Sequence, residues 1–125
     1  MSAETVIRDY YEALRRGEAL VPYFTDAPST VKFGISESLF GGERVERALR
    51  EQTETTDDWT VESHRLTVDD RVNKGIAWFA DECTLAWTDE TGDRQQFETR
   101  WSGTLERRDD AWQFVSMHVS APQEI

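Results

Sequence analysis

The sequence predicts an α+β fold: two helices in the first half, covering a strongly curved antiparallel sheet built from the second. Three observations predict it. Apolar residues recur at helical spacing over Ser2–Arg16 and again over Glu43–Thr55. From Trp59 onward the pattern changes to long alternating runs. Short acidic turns separate those runs, so neighbouring strands are joined as hairpins, and helices followed by such strands give segregated layers.

The elements follow in order. In the first helix Val6, Tyr10, Ala13 and Leu14 share a face, with Ile7 and Tyr11 beside them; Ser2 is the expected N-cap and Gly17 the stop. Glu18–Phe24 reads as a short helix or turn broken at Pro22, and Asp26–Ser29 as a loop. Thr30–Ile35 is a short strand, and Ser36–Gly42, with two glycines, a loop that opens the second helix. Glu43–Thr55 places Val45, Ala48, Leu49 and Gln52 on one face and Glu/Arg pairs on the other. Trp59–Val68 reads as one strand ending at an Asp69-Asp70 turn, Val72–Thr88 as a second, and Asp89–Asp93 as a hairpin loop. Gln95–Arg107 and Ala111–Ser120, joined at Asp109-Asp110, complete an antiparallel meander.

The 125 residues are expected to form one domain, 1–125. Acidic residues number 25 against 14 basic ones, for a net charge of -11. Such a surface repels nucleic acid, which needs a basic footprint. Only Lys32 and Lys74 among the basic residues are lysines. High acid content with arginine in place of lysine suggests adaptation to high salt, where self-repulsion is screened. The N-terminus lacks a basic flank and an apolar signal core, and no run of apolar residues is long enough for a membrane span, so a cytoplasmic location is expected. The single cysteine, Cys83, lies in an apolar strand and reads as a small buried residue. No glycine-rich phosphate loop and no HExxH spacing is present, so neither cofactor nor metal is expected.

The last quarter, Gln95–Ser120, is the richest in apolar strand. Trp112, Phe114, Val115, Met117 and Val119 suggest a final strand covered on both faces, and Arg100, Ser116, His118 and Ser120 are set among those apolar residues. A few polar groups in an aromatic wall describe a small-ligand pocket.

The segment RWSGTLERRDDAWQFVSMHVS resembles the ending of the SnoaL-like branch of the nuclear-transport-factor-2-like superfamily. Arg100, Ser102, Trp112, His118 and Ser120 match its pattern, and Ser116 stands where the family has a first histidine. FGISESLFGGERVERAL and DDRVNKGIAWFADE are similar to the family's middle-helix opening and its following strand. The superfamily includes polyketide cyclases, ketosteroid isomerases and a calcium/calmodulin-dependent kinase association domain. The resemblance implies a cone, a bent sheet wrapped by helices with the pocket inside, and a homodimer packed through the outer sheet faces. Because this fold hosts many activities, it does not by itself name one.

Strand parity divides the candidate residues. On the long middle strand Ile76, Trp78, Ala80, Glu82 and Thr84 share one face, and Ala77, Phe79, Asp81, Cys83 and Leu85 the other. Glu82 is the preferred pocket acid, acting as general acid or base, with Trp78 and Thr84 beside it; alternatively it pairs with Arg100. Arg100 is the candidate anion clamp, or else an interface ion-pair residue. His118, placed by parity with Trp112 and Phe114, is a candidate proton shuttle or a satisfied core or interface group. Trp101, Ser120 and Tyr23 complete the expected ligand lining, with Tyr10, Tyr11 and Phe24 near it. Asp26 lies near a position where some relatives use an acid for proton abstraction, or is a turn or helix-cap residue before Pro28. His64 reads as a surface residue.

Two function classes follow. One is a protein that binds a small, partly hydrophobic, anionic or carbonyl-bearing molecule, with cofactor-free acid–base lyase, isomerase or hydrolase chemistry from Glu82 and His118. The other is a non-enzymatic dimeric ligand-binding or association module, which the missing first histidine favours.

Overall fold

A computed structural model describes residues 1–125. Helix α1 spans Ala3–Arg16. The Ser2 hydroxyl accepts from the Thr5 N–H to start it, and Gly17 closes it by donating to the Ala13 and Leu14 carbonyls. Its buried face carries Val6, Ile7, Tyr10, Tyr11 and Leu14. A single 3-10 turn at Val21–Tyr23, with Pro22 in its first turn, leads to the sheet.

Strands β1 (Val31–Gly34) and β2 (Glu37–Phe40) form a tight hairpin, followed by helix α2 (Gly42–Thr55). The Ser36–Gly42 segment is therefore not all loop. Its four-residue edge strand is too short for alternation to show against flanking glycines.

Strands β3 (Asp57–Ser63) and β4 (Thr67–Arg71) replace the single strand read over Trp59–Val68. Both lie beside β5 (Ile76–Thr88), β3 along its second half and β4 along its first. The break between them is held by Asp81 on β5. Its carboxylate accepts from the Arg65 N–H at 2.9 Å and the Ser63 hydroxyl at 2.6 Å. Asp69 and Asp70, read as a turn, lie inside β4; the chain reverses instead at Val72–Lys74, so β5 starts four residues later than expected.

Strands β6 (Arg94–Arg108) and β7 (Ala111–Ser120) complete a seven-stranded sheet in the order β2-β1-β7-β6-β5-β3, with β4 beside β3 on the same edge of β5. All pairings are antiparallel except β1 with β7. The sheet is open and strongly bent. At the bend Gly103 is required: a Cβ there would stand 2.4 Å from the Ser116 carbonyl oxygen and 2.9 Å from the Phe79 ring.

A bulge sits beside this glycine. Thr104 pairs with Ser116 and Leu105 with Phe114, which leaves Val115 as the extra residue. One extra residue reverses the alternation. Trp112 and Phe114 before it and Met117 and Val119 after it therefore all turn to the buried side. The apolar run in β7 is one covered face with a shifted register, not two covered faces.

The core lies between α1 and the concave side of the sheet. Tyr10 is its hub, meeting Phe24, Trp101 and Phe114 edge-on at centroid distances of 5.8, 6.3 and 5.3 Å. No helix is long and apolar enough to cross a membrane.

Candidate binding site

The concave face does not fill completely. A cavity of about 440 Å³ remains between α1, the β1–β2 hairpin, the end of α2 and the second half of β5. Tyr10 and Leu14 of α1 form one wall; Trp101 of β6 and Met117 and Val119 of β7 form another. Three aromatic rings from adjacent strands make the third. Trp59 stacks on Trp87 at 4.8 Å and 18°, and Trp87 on Phe97 at 5.6 Å and 28°. The Trp59 indole is fixed from behind, donating to the Thr56 hydroxyl at 2.8 Å.

Polar groups in the cavity are few. Lys32 on β1 points inward with only 7% of its side chain exposed, and its Nζ donates to Glu37 Oε1 on β2 at 2.7 Å. Asp89 and Gln95 also line it, joined by a 3.0 Å hydrogen bond from Gln95 Nε2. An apolar, aromatic chamber with one buried cation and a small set of acceptors is the form small-molecule sites take.

A second polar cluster lies in the core outside this cavity. Tyr11 donates to Asp81 Oδ2 at 2.9 Å, and the Cys83 thiol approaches the same oxygen at 3.3 Å. Burial pushes the Asp81 carboxyl up, but hydrogen bonds from Ser63, Arg65, Tyr11 and Cys83 outweigh it and leave its pKa below the ordinary value. Burial, followed by the nearby charges of Cys83 and Asp81, drives the Tyr11 phenol well above its usual range. Burial and the charge of Asp81 push the Cys83 thiol up to about 12, so it is an inert thiol. This cluster ties α1 to the β3–β4 break; it holds structure.

Of the residues singled out from sequence, Trp101 lines the cavity. Tyr23 stands one layer behind it, its ring 5.5 Å from that of Tyr10. Tyr10 lines the cavity too, and Tyr11 and Phe24 are buried in the core, whereas Glu82, Arg100, Ser120, Trp78, Thr84 and His118 lie on the convex, outer face. Glu82, Arg100 and Ser120 form a row across β5, β6 and β7. Trp78 is 45% exposed, with the Arg71 guanidinium 5.2 Å above its ring. Thr84 donates to Glu98 and meets His64 Nε2, each at 2.8 Å. His118 is exposed and rests edge-on against Phe33 at 5.6 Å.

The pocket placements of Glu82, Trp78, Thr84, Arg100, His118 and Ser120 are thus corrected. Alternation separates the two faces of β5 as expected, but α1 covers the face carrying Asp81 and Cys83. For His118 the Val115 bulge is the cause, because it removes the histidine from the face of Trp112 and Phe114. Asp26 is exposed beside the start of α2, where a Cβ on Gly42 would stand 2.5 Å from its backbone.

Sequence reasoning missed Lys32, Glu37, Trp59, Trp87 and Phe97 as site residues. Lys32 carried a usable signal: one of only two lysines, it stands mid-strand between Val31 and Phe33. No group of three or more His, Cys, Asp or Glu side chains is placed to hold a metal ion.

The open, bent sheet closed by an N-terminal helix over one apolar chamber defines the class: a cone-shaped α+β protein. Within that class the chain belongs to the SnoaL-like domain family, whose model matches residues 3–124. A sequence comparison with curated proteins gives no match. Solved structures share the fold at low identity. A provisionally assigned dehydratase of the NTF2-like family from Streptomyces avermitilis superimposes with a TM-score of 0.84 at 18% identity, over 98% of this chain and 96% of that one. A ketosteroid isomerase-like protein from Erwinia carotovora atroseptica gives 0.74 at 16%, over 97% and 94%. An uncharacterised protein with a cystatin-like fold from Caulobacter vibrioides gives 0.78 at 16%, over 98% and 88%.

Proposed function

We infer that the chain binds one small, partly hydrophobic, carbonyl-bearing or anionic molecule in the concave cavity. The observation that carries this is the pairing of an aromatic wall with a single buried ammonium, that of Lys32. The Trp59–Trp87–Phe97 stack offers a continuous aromatic wall against which a ring system can pack. Lys32 offers charge-assisted hydrogen bonds to an oxygen. Any cofactor-free acid–base step on such a molecule would fall to Glu37, the lining carboxylate beside Lys32, in the role first assigned to Glu82. The assignment of some fold relatives as dehydratase or isomerase-like supports a ligand cavity of this kind and names no substrate. Calorimetric titration with planar aromatic ketones tests the reading. Saturable binding is expected, weakened about tenfold in Trp87→Ala, which removes the central ring of the aromatic wall. Affinity unchanged by that substitution would place the ligand elsewhere.

A second reading concerns the outer face, which we infer to be a homodimer surface. Trp78 and Ile76 are 45% and 42% exposed there. Arg100 stands opposite Glu82 and takes part in none of the chain's ion pairs. A two-fold axis through this face would set the arginine of one copy against acidic residues of the other, the self-complementarity an isologous interface requires.

A further inference from the structure

We propose that Glu37 sets the charge specificity of the cavity, making it a site for neutral carbonyl compounds and turning carboxylates away. The inference rests on the reading that the cavity is the ligand site, and adds what Lys32 alone does not decide.

A buried lysine by itself would attract an anion. Here its charge is already matched. Glu37 Oε1 lies 2.7 Å from Lys32 Nζ, and a second carboxylate, Asp89, lines the same cavity. The lining therefore carries two acidic side chains and one basic one, within a protein of net charge -11. An ammonium has three donors and Glu37 occupies one, so two remain for a ligand oxygen. A ketone or aldehyde oxygen can take one with little further desolvation cost. A carboxylate would take the same hydrogen bond but would lose its hydration among aromatic walls, facing two like charges.

The pair is built into the backbone. Gly34 lies directly across the hairpin from Glu37, and a Cβ at position 34 would come within 2.8 Å of Glu37 Cγ and Oε1. The missing side chain is what allows Glu37 to fold back over β1 and reach Lys32. The field of Glu37 also extends across the cavity. The Tyr10 phenol on the opposite wall is raised above its usual pKa, first by burial and then by the charge of Glu37.

The test compares two probes of one shape, 2-acetonaphthone and 2-naphthoate, by calorimetry on the full chain at neutral pH. The ketone should bind the wild type at least about tenfold more tightly, the equivalent of one charged hydrogen bond gained or opposed. In Glu37→Gln, naphthoate should gain about tenfold while the ketone changes by less than about threefold. In Lys32→Met, ketone affinity should fall, and naphthoate, left facing two carboxylates with no cation, should fall further. The wild-type comparison needs no variant, so it stands even if a substitution unfolds the hairpin. Equal binding of both probes, weakened for both by Trp87→Ala, would overturn the charge selection and leave the cavity reading intact. Binding of neither probe, or binding insensitive to Trp87→Ala, would overturn the cavity reading and this inference with it.

Discussion

Strands β5, β6 and β7 present two faces of contrasting character. On the concave face the buried polar side chains Asp81 and Thr99 are paired: Asp81 satisfies five donors, and Thr99 donates to the Cys83 carbonyl and accepts from the Trp101 indole. On the convex face Glu82, Arg100 and His118 stand in solvent. The contrast follows from cost. A polar atom under α1 must be paired, because leaving it bare costs about 1–3 kcal/mol. One in water need not be. Polar residues that look conspicuous among aromatics in the sequence can thus belong to either face, and only the covering helix decides which.

The largest test of this contrast is Asp81→Asn. The amide cannot accept from the Tyr11 hydroxyl, the Ser63 hydroxyl and the Arg65 and Glu82 N–H groups together, since half of its polar atoms are donors. The loss should be roughly 2–4 kcal/mol, from one or two buried groups left unsatisfied. Thermal melting should fall by about 10 °C for a domain of this size. The pH response sharpens it. The Asp81 carboxyl is held below its ordinary pKa, so the unfolded chain takes up the proton first as pH falls. Its contribution is complete above the unfolded value of about 3.9 and is lost as pH drops through the lower folded value. The Asn variant should lack that part of the acid limb. Equal stability of the two proteins at neutral pH would mean the cluster is incidental.

On the other face the expected effect is smaller and concerns association. Trp78→Ser removes the most exposed aromatic ring of the convex side of β5, the side that carries Arg100 opposite Glu82. Dimer dissociation should become about tenfold easier or more, as for a modest aromatic anchor, with the melting curve of the monomer little changed. Sedimentation equilibrium across micromolar concentrations reads this directly. A wild type that is monomeric throughout would remove the dimer surface.

How much of this was legible in the sequence depends on the signal each feature leaves. The α+β order, both long helices, the β6–β7 hairpin and the split of β5 into two faces follow from periodicity, and the structure shares them. Strand β2, and with it the β1–β2 hairpin, was invisible because a four-residue edge strand leaves no period to detect. The β3–β4 break was invisible because a distant residue, Asp81, makes it. The Val115 bulge is a single-residue event, yet it reverses everything after it in β7. It carried His118 out of the core and made one apolar face look like two. Lys32 and Glu37 come together across a hairpin the sequence hid, so the cavity's polar pair could not be assembled from spacing alone.

The smallest expected effect is the one that most sharply divides the two faces. Glu82 and His118 were the residues whose types best suited acid–base chemistry, and both stand across the sheet from the cavity. Glu82 follows Asp81 on β5, so their side chains leave opposite sides of the strand. The sheet backbone and the Trp101 layer lie between Glu82 and the ligand. Distant sites without shared partners act independently, to within a few tenths of a kcal/mol. Glu82→Gln and His118→Asn, alone or combined, should therefore change the affinity for 2-acetonaphthone by less than about twofold. Their expected effect is on self-association, since they sit beside Arg100 and Phe33 on the convex side. Calorimetry at a protein concentration where wild type and variants share one oligomeric state separates the two effects. A tenfold loss of ketone binding in either variant would show that the convex face takes part in the site, and the division between the faces would fail.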